Sequence, residues 1–208
     1  MKKVFVVLLL MAGSYTVTAQ DENTEEETRG FKKENLFIGG DITLAFSNVY
    51  TALGASPYIG YSLNKYVDVA ISTSFIYTSE WDYPFPGDKI KQIQYGPGAF
   101  VRVYPLKFLY AQVQYEHNFM NYKYLPGEYS NNVGYLKTIE NYDANSILVG
   151  GGFAGGRQGK RSSFYYISIL WDVGGSKYSP YIDEYHRAIP IFRAGYNIAL
   201  FQGRNNDY

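Results

Sequence analysis

Residues 109–119, with the sequence LYAQVQYEHNF, alternate between apolar and more polar side chains. The odd positions hold Leu109, Ala111, Val113, Tyr115 and Phe119, and the even positions hold Tyr110, Gln112, Gln114, Glu116 and Asn118. A period of two predicts a β-strand with two unlike faces. In a soluble sheet the apolar face would meet a core, whereas in an outer-membrane barrel it would meet lipid. The rest of the chain has to distinguish these two structures.

The same alternation recurs along the chain and predicts eight strands. They lie near residues 35–48, 53–63, 66–78, 90–104, 108–121, 144–156, 162–174 and 189–201. Each is roughly ten residues or longer, which suits a tilted membrane strand and exceeds the usual length of about 5–6 residues in soluble proteins. The sixth strand, SILVGGGFAGG, has the weakest alternation, and its faces are the hardest to assign.

The connections between these strands alternate in length. The second, fourth and sixth are short, with the sequences LNKY, PLKF and RQGKRS. The third, fifth and seventh are long and contain SEWDYPFPGD, YKYLPGEYSNNVGYLKTIENYD and GSKYSPYIDEYHRA. Short turns at one end and long loops at the other are typical of outer-membrane barrels, in which the short turns face the periplasm. The first connection, around NVYT, departs from this pattern because it is short where a long loop is expected.

The polar faces of the predicted strands indicate a narrow interior. They combine small residues with few charges, whereas a solvated sheet face usually carries many Lys and Glu side chains. Six charged residues are predicted to face the lumen: Asp41, Asp68, Arg102, Glu116, Asp172 and Arg193. An eight-stranded barrel has room only for side chains inside, and an unpaired buried charge is costly. We therefore expect two cross-strand ion pairs, Asp68–Arg102 and Asp172–Arg193.

The N-terminus has the pattern of a secretory signal peptide. Two lysines precede an apolar run from Val4 to Met11, and small residues lead to a cleavage site between Ala19 and Gln20. The apolar run is shorter than the roughly 20 residues of a membrane-spanning helix. The expected organisation is a signal peptide over 1–19, a flexible charged segment over 20–34, a barrel over 35–201 and a tail over 202–208.

Composition narrows the function classes further. The chain has no cysteine, so neither a disulfide framework nor a lipidated N-terminal cysteine is available. Removal of the signal peptide takes away Lys2 and Lys3 and leaves 17 basic and 19 acidic residues, a net charge of −2. This balance gives no indication of nucleic-acid binding. The 23 tyrosines and 13 phenylalanines favour strands, and aromatic residues also concentrate at membrane interfaces.

Several stretches resemble a known family. The segment FVRVYPLKFLYAQVQYEHNF, the pair SSFYYISILWDV and IPIFRAGYNIALF, and the signal ending in Ala-Gln resemble small outer-membrane β-barrel domain proteins. The resemblance spans most of residues 35–201 and implies an all-β fold, an eight-stranded antiparallel up-and-down transmembrane barrel of the outer-membrane protein A or X kind. It implies no activity.

The end of the chain carries a second resemblance. RAGYNIAL is similar to the C-terminal strand signal that is read by the barrel-assembly machinery of Gram-negative outer membranes. Its residues here are Arg193, Gly195, Ile198 and Leu200. The tail QGRNNDY follows Phe201, whereas many such proteins stop at the aromatic residue.

A glycine motif in the sixth strand has a structural explanation. Gly150, Gly152 and Gly155 form the pattern G-x-G-x-x-G. A dinucleotide site needs a helix after these glycines, because the N-terminus of that helix holds the pyrophosphate. A turn and another strand are predicted here instead, so glycines in a tightly curved strand are the simpler explanation.

The two histidines define the remaining candidate sites. His117 takes an outward position, as does the catalytic His of some lipid-modifying outer-membrane hydrolases, but Phe119 replaces the matching serine. Asp183, Glu184 and His186 in DEYH are metal-binding residue types, yet no second cluster completes a coordination sphere. We therefore predict a solvated loop there, and no catalytic, cofactor-binding or metal-binding residues.

The expected function is that of a non-enzymatic integral outer-membrane barrel, with long extracellular loops for surface contacts or a membrane-structural role. The alternatives are a lipid-modifying barrel enzyme and a soluble exported β-sandwich or lipocalin-like binding protein. The expected partners are outer-membrane lipids and, during biogenesis, the barrel-assembly machinery. We expect a monomer that binds no nucleic acid and forms no wide pore, and the sequence identifies no extracellular ligand.

Overall fold

The structure, a computed structural model, describes residues 30–46, 50–182 and 186–202. The predicted signal peptide and most of the charged segment lie outside these residues, and their assignment stays a prediction. By its internal contacts the chain divides after Phe31, and the second unit, Lys32–Tyr208, contains the barrel. In the described ranges, no helix is long and apolar enough to cross a membrane.

Eight strands pair in chain order to form a closed antiparallel barrel. Their bounds are β1 Leu36–Phe46, β2 Tyr50–Ser62, β3 Val67–Trp81, β4 Lys89–Leu106, β5 Leu109–Leu125, β6 Thr138–Gly155, β7 Phe164–Asp172 and β8 Ile191–Ala199. β1 pairs with both β2 and β8, which closes the sheet on itself. A 3-10 turn, Lys33–Asn35, precedes β1, and a short helix, α1 Glu128–Asn132, lies between β5 and β6. The predicted all-β, eight-stranded up-and-down fold is confirmed.

The connections follow the predicted alternation in length with one exception, because the turn over 156–163 has eight residues and the connection over 82–88 at the other end has seven. The connections over 63–66, 107–108 and 156–163 lie at one end, which we call the turn end. The connections over 82–88, 126–137 and 173–190 lie at the other, which we call the loop end and which holds the two longest of the six. Residues 47–49 of the first connection are outside the described residues.

The predicted strands match the observed ones, and the largest difference lies in the β5–β6 hairpin. Its ladder continues to the pair Tyr124–Thr138, well beyond the predicted ends at 121 and 144. The outward residues of β6 in this extension include Asn141 and Asp143, which are polar like most of their inward neighbours. The contrast between the two faces is therefore lost there, although the backbone pairing continues.

Side-chain parity in the strands is also as predicted. Val113 is 53 % exposed on the outside of the barrel, while the side chain of the adjacent Gln114 is 2 % exposed inside it. All six predicted lumen charges are buried: Asp41, Asp68, Arg102, Glu116, Asp172 and Arg193. The barrel thus has an apolar outside, and its charged strand residues point inward, whereas a soluble sheet protein exposes its charged residues to water.

An aromatic layer fills the lumen at the turn end. It consists of Phe37, Tyr58, Phe100, Tyr104, Tyr110, Phe164 and Tyr166, packed with Ala70 and Ala154. The Arg102 guanidinium lies within this layer, 4.3 Å from the centroid of the Tyr166 ring and 4.5 Å from that of Phe100. Cation–π attraction of this kind is stronger where the cation is desolvated.

The glycines of β6 explain why its alternation was weak. A Cβ on Gly150 would collide with the carbonyl oxygen of Ile169 on β7. A Cβ on Gly152 would lie 2.7 Å from the Tyr110 hydroxyl, which occupies the space that this glycine leaves free. These inward positions need glycine for close packing, so the strand cannot show an ordinary polar face.

Candidate functional site

A hydrogen-bonded ladder runs up the inner face of β5. Arg102 Nε donates to Gln112 Oε1 at 2.7 Å, Gln112 Nε2 to Gln114 Oε1 at 2.6 Å, and Gln114 Nε2 to Glu116 Oε1 at 2.7 Å. Residues two apart share one face of a strand, so the alternation itself places these side chains in a row. The ladder links the aromatic layer to the middle of the lumen.

Glu116 is the centre of the charge network. Its Oε1 accepts a hydrogen bond from Arg193 Nη2 at 3.0 Å, and Arg193 Nε lies 4.0 Å from Asp41 Oδ1. The side chains of Glu116 and Arg193 are 1 % and 3 % exposed. A buried cation is thus paired with two carboxylates across the lumen, as burial of charge requires.

The two predicted ion pairs are wrong. Asp68 and Arg102 do face each other across β3 and β4, but the Arg102 side chain turns toward Gln112 and the aromatic rings. Asp68 pairs instead with Arg157, with Nη2 and Oδ2 3.7 Å apart. The β7–β8 register places Ser168, four residues before Asp172, opposite Arg193.

Asp172 has different partners, all near the loop end. Its carboxylate accepts hydrogen bonds from the backbone N–H groups of Ile147 at 3.1 Å and Gly174 at 2.8 Å, and from the hydroxyl of Ser179. Ser179 belongs to the long β7–β8 connection. Asp172 therefore fixes that loop to the barrel and neutralises no lumen cation.

Arg157 is a lumen residue that the sequence did not reveal. It lies in the turn between β6 and β7, where the strand alternation has ended. Its guanidinium carbon lies 3.5 Å from the centroid of the Tyr104 ring, and Nη1 donates to the carbonyl oxygen of Lys65 at 3.2 Å. The side chain folds back and closes the turn end of the lumen. The sequence held no indication of it, because Arg102 is opposite Asp68 on the neighbouring strand.

Tyr181 enters the lumen from the loop end. Its hydroxyl donates to Glu116 Oε2 at 2.6 Å and accepts from Gln94 Nε2 at 2.9 Å. Tyr181 also packs with Ile76, Leu148, Leu170 and Ile191 in a second apolar cluster. The β7–β8 connection thus forms a plug above the charge network, a role that no periodicity could indicate.

Above this plug, a cavity of about 650 Å³ occupies the mouth of the barrel. We call it the mouth cavity, and it lies between β1–β4 on one side and the end of the β7–β8 connection on the other. Its lining includes Thr43, Ala52, Ile76, Thr78, Glu80, Ile90, Gln92, Gln94, Tyr122, Pro180, Tyr181, Ile182, Ile189, Pro190, Ile191 and Phe192. This volume falls within the range of about 300–1,000 Å³ that is typical of ligand pockets.

Asp88 joins two of the connections at the loop end. Its carboxylate accepts hydrogen bonds from Tyr124 Oη at 2.6 Å, the Gly127 N–H at 2.7 Å and Ser130 Oγ at 2.9 Å. Burial alone would raise the pKa of Asp88, but these hydrogen bonds to the charged form outweigh it and hold the pKa below its ordinary value. Phe85 adds ring contacts to Tyr129 and Tyr135 in the next loop.

His117 lies on the outer face of β5, as predicted. Its Nδ1 is 2.7 Å from Asn145 Oδ1, which also accepts from the Tyr115 hydroxyl at 2.7 Å. The ring packs edge-on against Phe119 with a centroid distance of 4.6 Å. An amide and a phenyl ring are not nucleophiles, so this arrangement does not resemble a hydrolase site.

The DEYH segment is described only in part. Asp183 and Glu184 lie outside the described residues, and His186 is exposed. Among residues 30–46, 50–182 and 186–202, no group of three or more His, Cys, Asp or Glu side chains has the arrangement of a metal site.

The residues of the expected assembly signal lie in and just after β8. Gly195 is an inward position at which a Cβ would contact the Tyr166 ring and the carbonyl oxygen of Gly40. Ile198 is exposed on the outside, and the Leu200 N–H donates to the Leu36 carbonyl oxygen at 2.9 Å. Their recognition by an assembly machinery stays a prediction.

Comparison with known proteins gives matches in structure alone. No family model matches the chain, and no curated protein does. The chain is similar in structure to Ail, the attachment invasion locus protein of Yersinia pestis, which was solved with the heparin analogue sucrose octasulfate. The sequence identity is 10 %, the match covers 78 % of this chain and 96 % of Ail, and the TM-score is 0.45. For the N-terminal β-barrel domain of Pseudomonas aeruginosa OprF the identity is 14 %, the coverage is 78 % of this chain and 94 % of that domain, and the TM-score is 0.40. For Neisserial surface protein A the identity is 10 %, the coverage is 79 % of this chain and 97 % of that protein, and the TM-score is 0.43. The direct evidence for the barrel fold is the closed ladder of eight strands in this chain itself.

Proposed function

We propose that this chain is an integral protein of the outer membrane and that it has no enzymatic activity. The observation that carries the proposal is the reversed polarity of the barrel. Large apolar side chains stand outward on every strand whose side chains are fully described, among them Ile71 on β3, Val101 on β4 and Ile167 on β7. Monomeric soluble proteins rarely expose apolar patches beyond a few hundred Å², whereas a bilayer needs such a surface.

The height of the apolar surface fits a bilayer. β7 and β8 have nine residues each, close to the 9–11 that a tilted strand needs to span the hydrocarbon region. On β5 and β6 polar side chains enter the outward face from His117 and Asn145 toward the loop end, where Phe119 and Ile139 are the remaining exposed large apolar ones. At the turn end, exposed Tyr66 and Phe108 are suited to an interface.

For the role of the protein, we propose surface contacts made by the loop end, with the filled barrel as their support. The loops over 82–88 and 126–137 are joined by Asp88, which gives them a defined shape. They expose Tyr129, Tyr135 and Leu136, and the β7–β8 connection exposes Tyr178. Exposed aromatic residues on ordered loops are suited to recognition. A diffusive pore is disfavoured because the lumen is packed with side chains.

Cell-envelope fractionation tests the membrane location. We expect the protein in the outer-membrane fraction, extractable only with detergent and with a folded form that migrates differently on a gel before and after boiling. Recovery from the soluble periplasmic fraction without detergent would contradict the proposal.

The proposed role is tested in cells that lack the protein. The wild-type chain and a variant with Tyr129→Ser, Tyr135→Ser and Tyr178→Ser are each returned to these cells. We expect both to restore exclusion of a hydrophobic dye if they assemble equally, but only the wild type to restore adhesion to surfaces. If both restore adhesion equally, the loops do not carry the function. If the lipid A mass profile changes with the wild type, the protein is an enzyme.

A further inference from the structure

The seam between β1 and β8 is open at the loop end. The ladder runs from Phe37–Ala199 to Ile42–Ala194 and stops there. Continuing the register would place positions 43, 44 and 45 of β1 opposite 193, 192 and 191 of β8, and these positions are strand on both sides. The opening therefore covers three residue positions, roughly 10 Å at about 3.3 Å per residue.

This opening is not fraying of either strand. Over the same residues β1 stays paired with β2 as far as Phe46–Thr51, and β8 stays paired with β7 as far as Leu170–Ile191. Pro190, directly before β8, has no N–H group with which to extend a ladder. The Thr43 hydroxyl, on the β1 side, is buried without a hydrogen-bond partner. The two strands are thus held apart while each is anchored on its other edge.

The mouth cavity lies directly behind the open seam. Its lining includes Thr43 from β1 and Ile191 and Phe192 from β8, so residues from both sides of the opening border it. From positions 43 and 45 of β1, the cross-strand pairing leads through β2 to Ile76 and Thr78 on β3. Both of these residues also line the cavity. The opening and the cavity are therefore continuous.

The cavity lining divides into an apolar and a polar part. Beside the seam it is formed by Ala52, Ile76 and Ile191, and on the wall toward β4 and β5 by Glu80, Gln92 and Tyr122. The amide of Gln92 and the hydroxyl of Tyr122 can form hydrogen bonds to a polar group in this part of the cavity. Such a lining suits an amphiphile with one alkyl chain and a hydrogen-bonding polar head.

We propose that the open β1–β8 seam is a lateral entrance, through which a single-chain amphiphile of the outer leaflet places its alkyl chain in the mouth cavity. This inference rests on the proposed outer-membrane location. β8 has nine residues, about the length needed to span the bilayer, so its first three residues lie at the level of the outer leaflet. The alkyl chain lies against Ile76 and Ile191, and the head group binds near Gln92 and Tyr122.

Photo-crosslinking in vesicles tests the entrance. The protein is inserted into phosphatidylcholine vesicles that contain a monoacylglycerol with a diazirine in its acyl chain, and labelled residues are identified by mass spectrometry. We expect labels on Ile76 and Ile191 inside the mouth, together with labels on outward residues such as Val113. Loss of the inner labels is expected in Ala52→Trp, which fills the cavity. Ala55→Trp, on the outer face of the same strand, is the matched control and should keep them.

A second pair of variants closes the seam. The chain has no cysteine, so Leu44→Cys with Phe192→Cys gives a single disulfide, or a single bis-maleimide bridge if the thiols are too far apart. We expect the bridge to abolish the inner labels, and reduction of the disulfide to restore them. Ile38→Cys with Ile198→Cys bridges a paired position of the same seam and should leave the inner labels unchanged.

The outcomes separate the two proposals. Labels on the outward residues without inner labels in the wild type would overturn the lateral entrance and leave the membrane location intact. Inner labels that persist after the bridge at positions 44 and 192 would mean entry from the aqueous mouth, which also overturns it. Absence of label from Val113 as well as from the cavity would contradict the outer-membrane location itself.

Discussion

Glu116 accepts hydrogen bonds from Gln114, Asn118, Tyr181 and Arg193 in the middle of the lumen. Replacing it with glutamine keeps the size of the side chain and removes the charge that pairs with Arg193. We expect Glu116→Gln to lower the free energy of unfolding by about 3–5 kcal/mol where the site is dry, because a buried guanidinium loses its main counter-ion. Urea titration of the vesicle-inserted protein, with gel migration as the measure of the folded fraction, gives this value.

A double-mutant cycle checks that the loss comes from this pair. Glu116→Gln and Arg193→Gln should be coupled by about 0.5–3 kcal/mol, whereas Asp172→Asn and Arg193→Gln should be additive within about 0.5 kcal/mol. If Asp172→Asn and Arg193→Gln alone were coupled, Asp172 and Arg193 would form the ion pair that the structure excludes.

The outer face should tolerate charge according to depth. Val113→Lys, near the middle of β5, is expected to cost ~2–4 kcal/mol, and Phe119→Lys, near the polar outward residues His117 and Asp143, less than about 1 kcal/mol. The same urea titration measures both, with Val113→Leu as the control for packing. If lysine at position 113 and lysine at position 119 lowered the free energy of unfolding equally, the bilayer would not be centred on the apolar outer face.

For single residues, the sequence predicted whether a side chain points into the barrel or outward, but it did not predict which residues that side chain contacts. Parity follows from the pleat of each strand, and the six charged residues that it assigned to the lumen are buried in the structure. Pairing depends on side-chain length and on the space across the lumen, which adjacent strands do not define. Arg102 is opposite Asp68, yet its guanidinium is stabilised by aromatic rings, and Asp68 is left to Arg157 from a turn.

At the scale of elements, Asp88 should make the order of two loops depend on pH. Its pKa is lower in the folded protein than its ordinary value of 3.8, so its contribution is fully present above about that pH. The contribution is lost as pH falls through the lower, folded pKa. We expect amide hydrogen exchange in residues 82–88 and 126–137 to be slow at pH 5–7, and the protection to be lost only well below pH 3.8.

Asp88→Asn is the matched variant for this effect. An asparagine offers a single acceptor oxygen and no charge, so exchange in both loops should be fast over the whole range. The turn over 63–66 serves as an internal control that should not change. Loop protection in Asp88→Asn equal to that of the wild type would show that the carboxylate does not hold the loops.

Strand positions were predictable wherever the two faces had different surroundings. In the β5–β6 hairpin beyond His117 and Asn145 both faces mix polar and apolar residues, so the alternation disappears while the ladder continues. The plug by Tyr181 and the open seam were also beyond the sequence, because both depend on how a long connection returns to the barrel. Loop conformation has no periodicity from which it could be read.

At the scale of the whole molecule, the topology predicts which parts face the cell exterior. Single cysteines at Tyr178, in the β7–β8 connection, and at Gln158, in the turn over 156–163, are both at exposed positions. A membrane-impermeant maleimide added to intact cells should label Tyr178→Cys and leave Gln158→Cys unlabelled until the envelope is opened. Labelling of Gln158→Cys alone would invert the topology.

The short seam also has a kinetic meaning. The β5–β6 ladder extends from Leu109–Phe153 to Tyr124–Thr138, whereas the β1–β8 ladder, which joins the most distant parts of the chain, ends at Ile42–Ala194. Contacts between distant segments form late in folding, and regions with few of them open first. We therefore expect the barrel to close last, and to open first, along the β1–β8 ladder. The rate of opening at this ladder would then limit how long the folded barrel persists in the membrane.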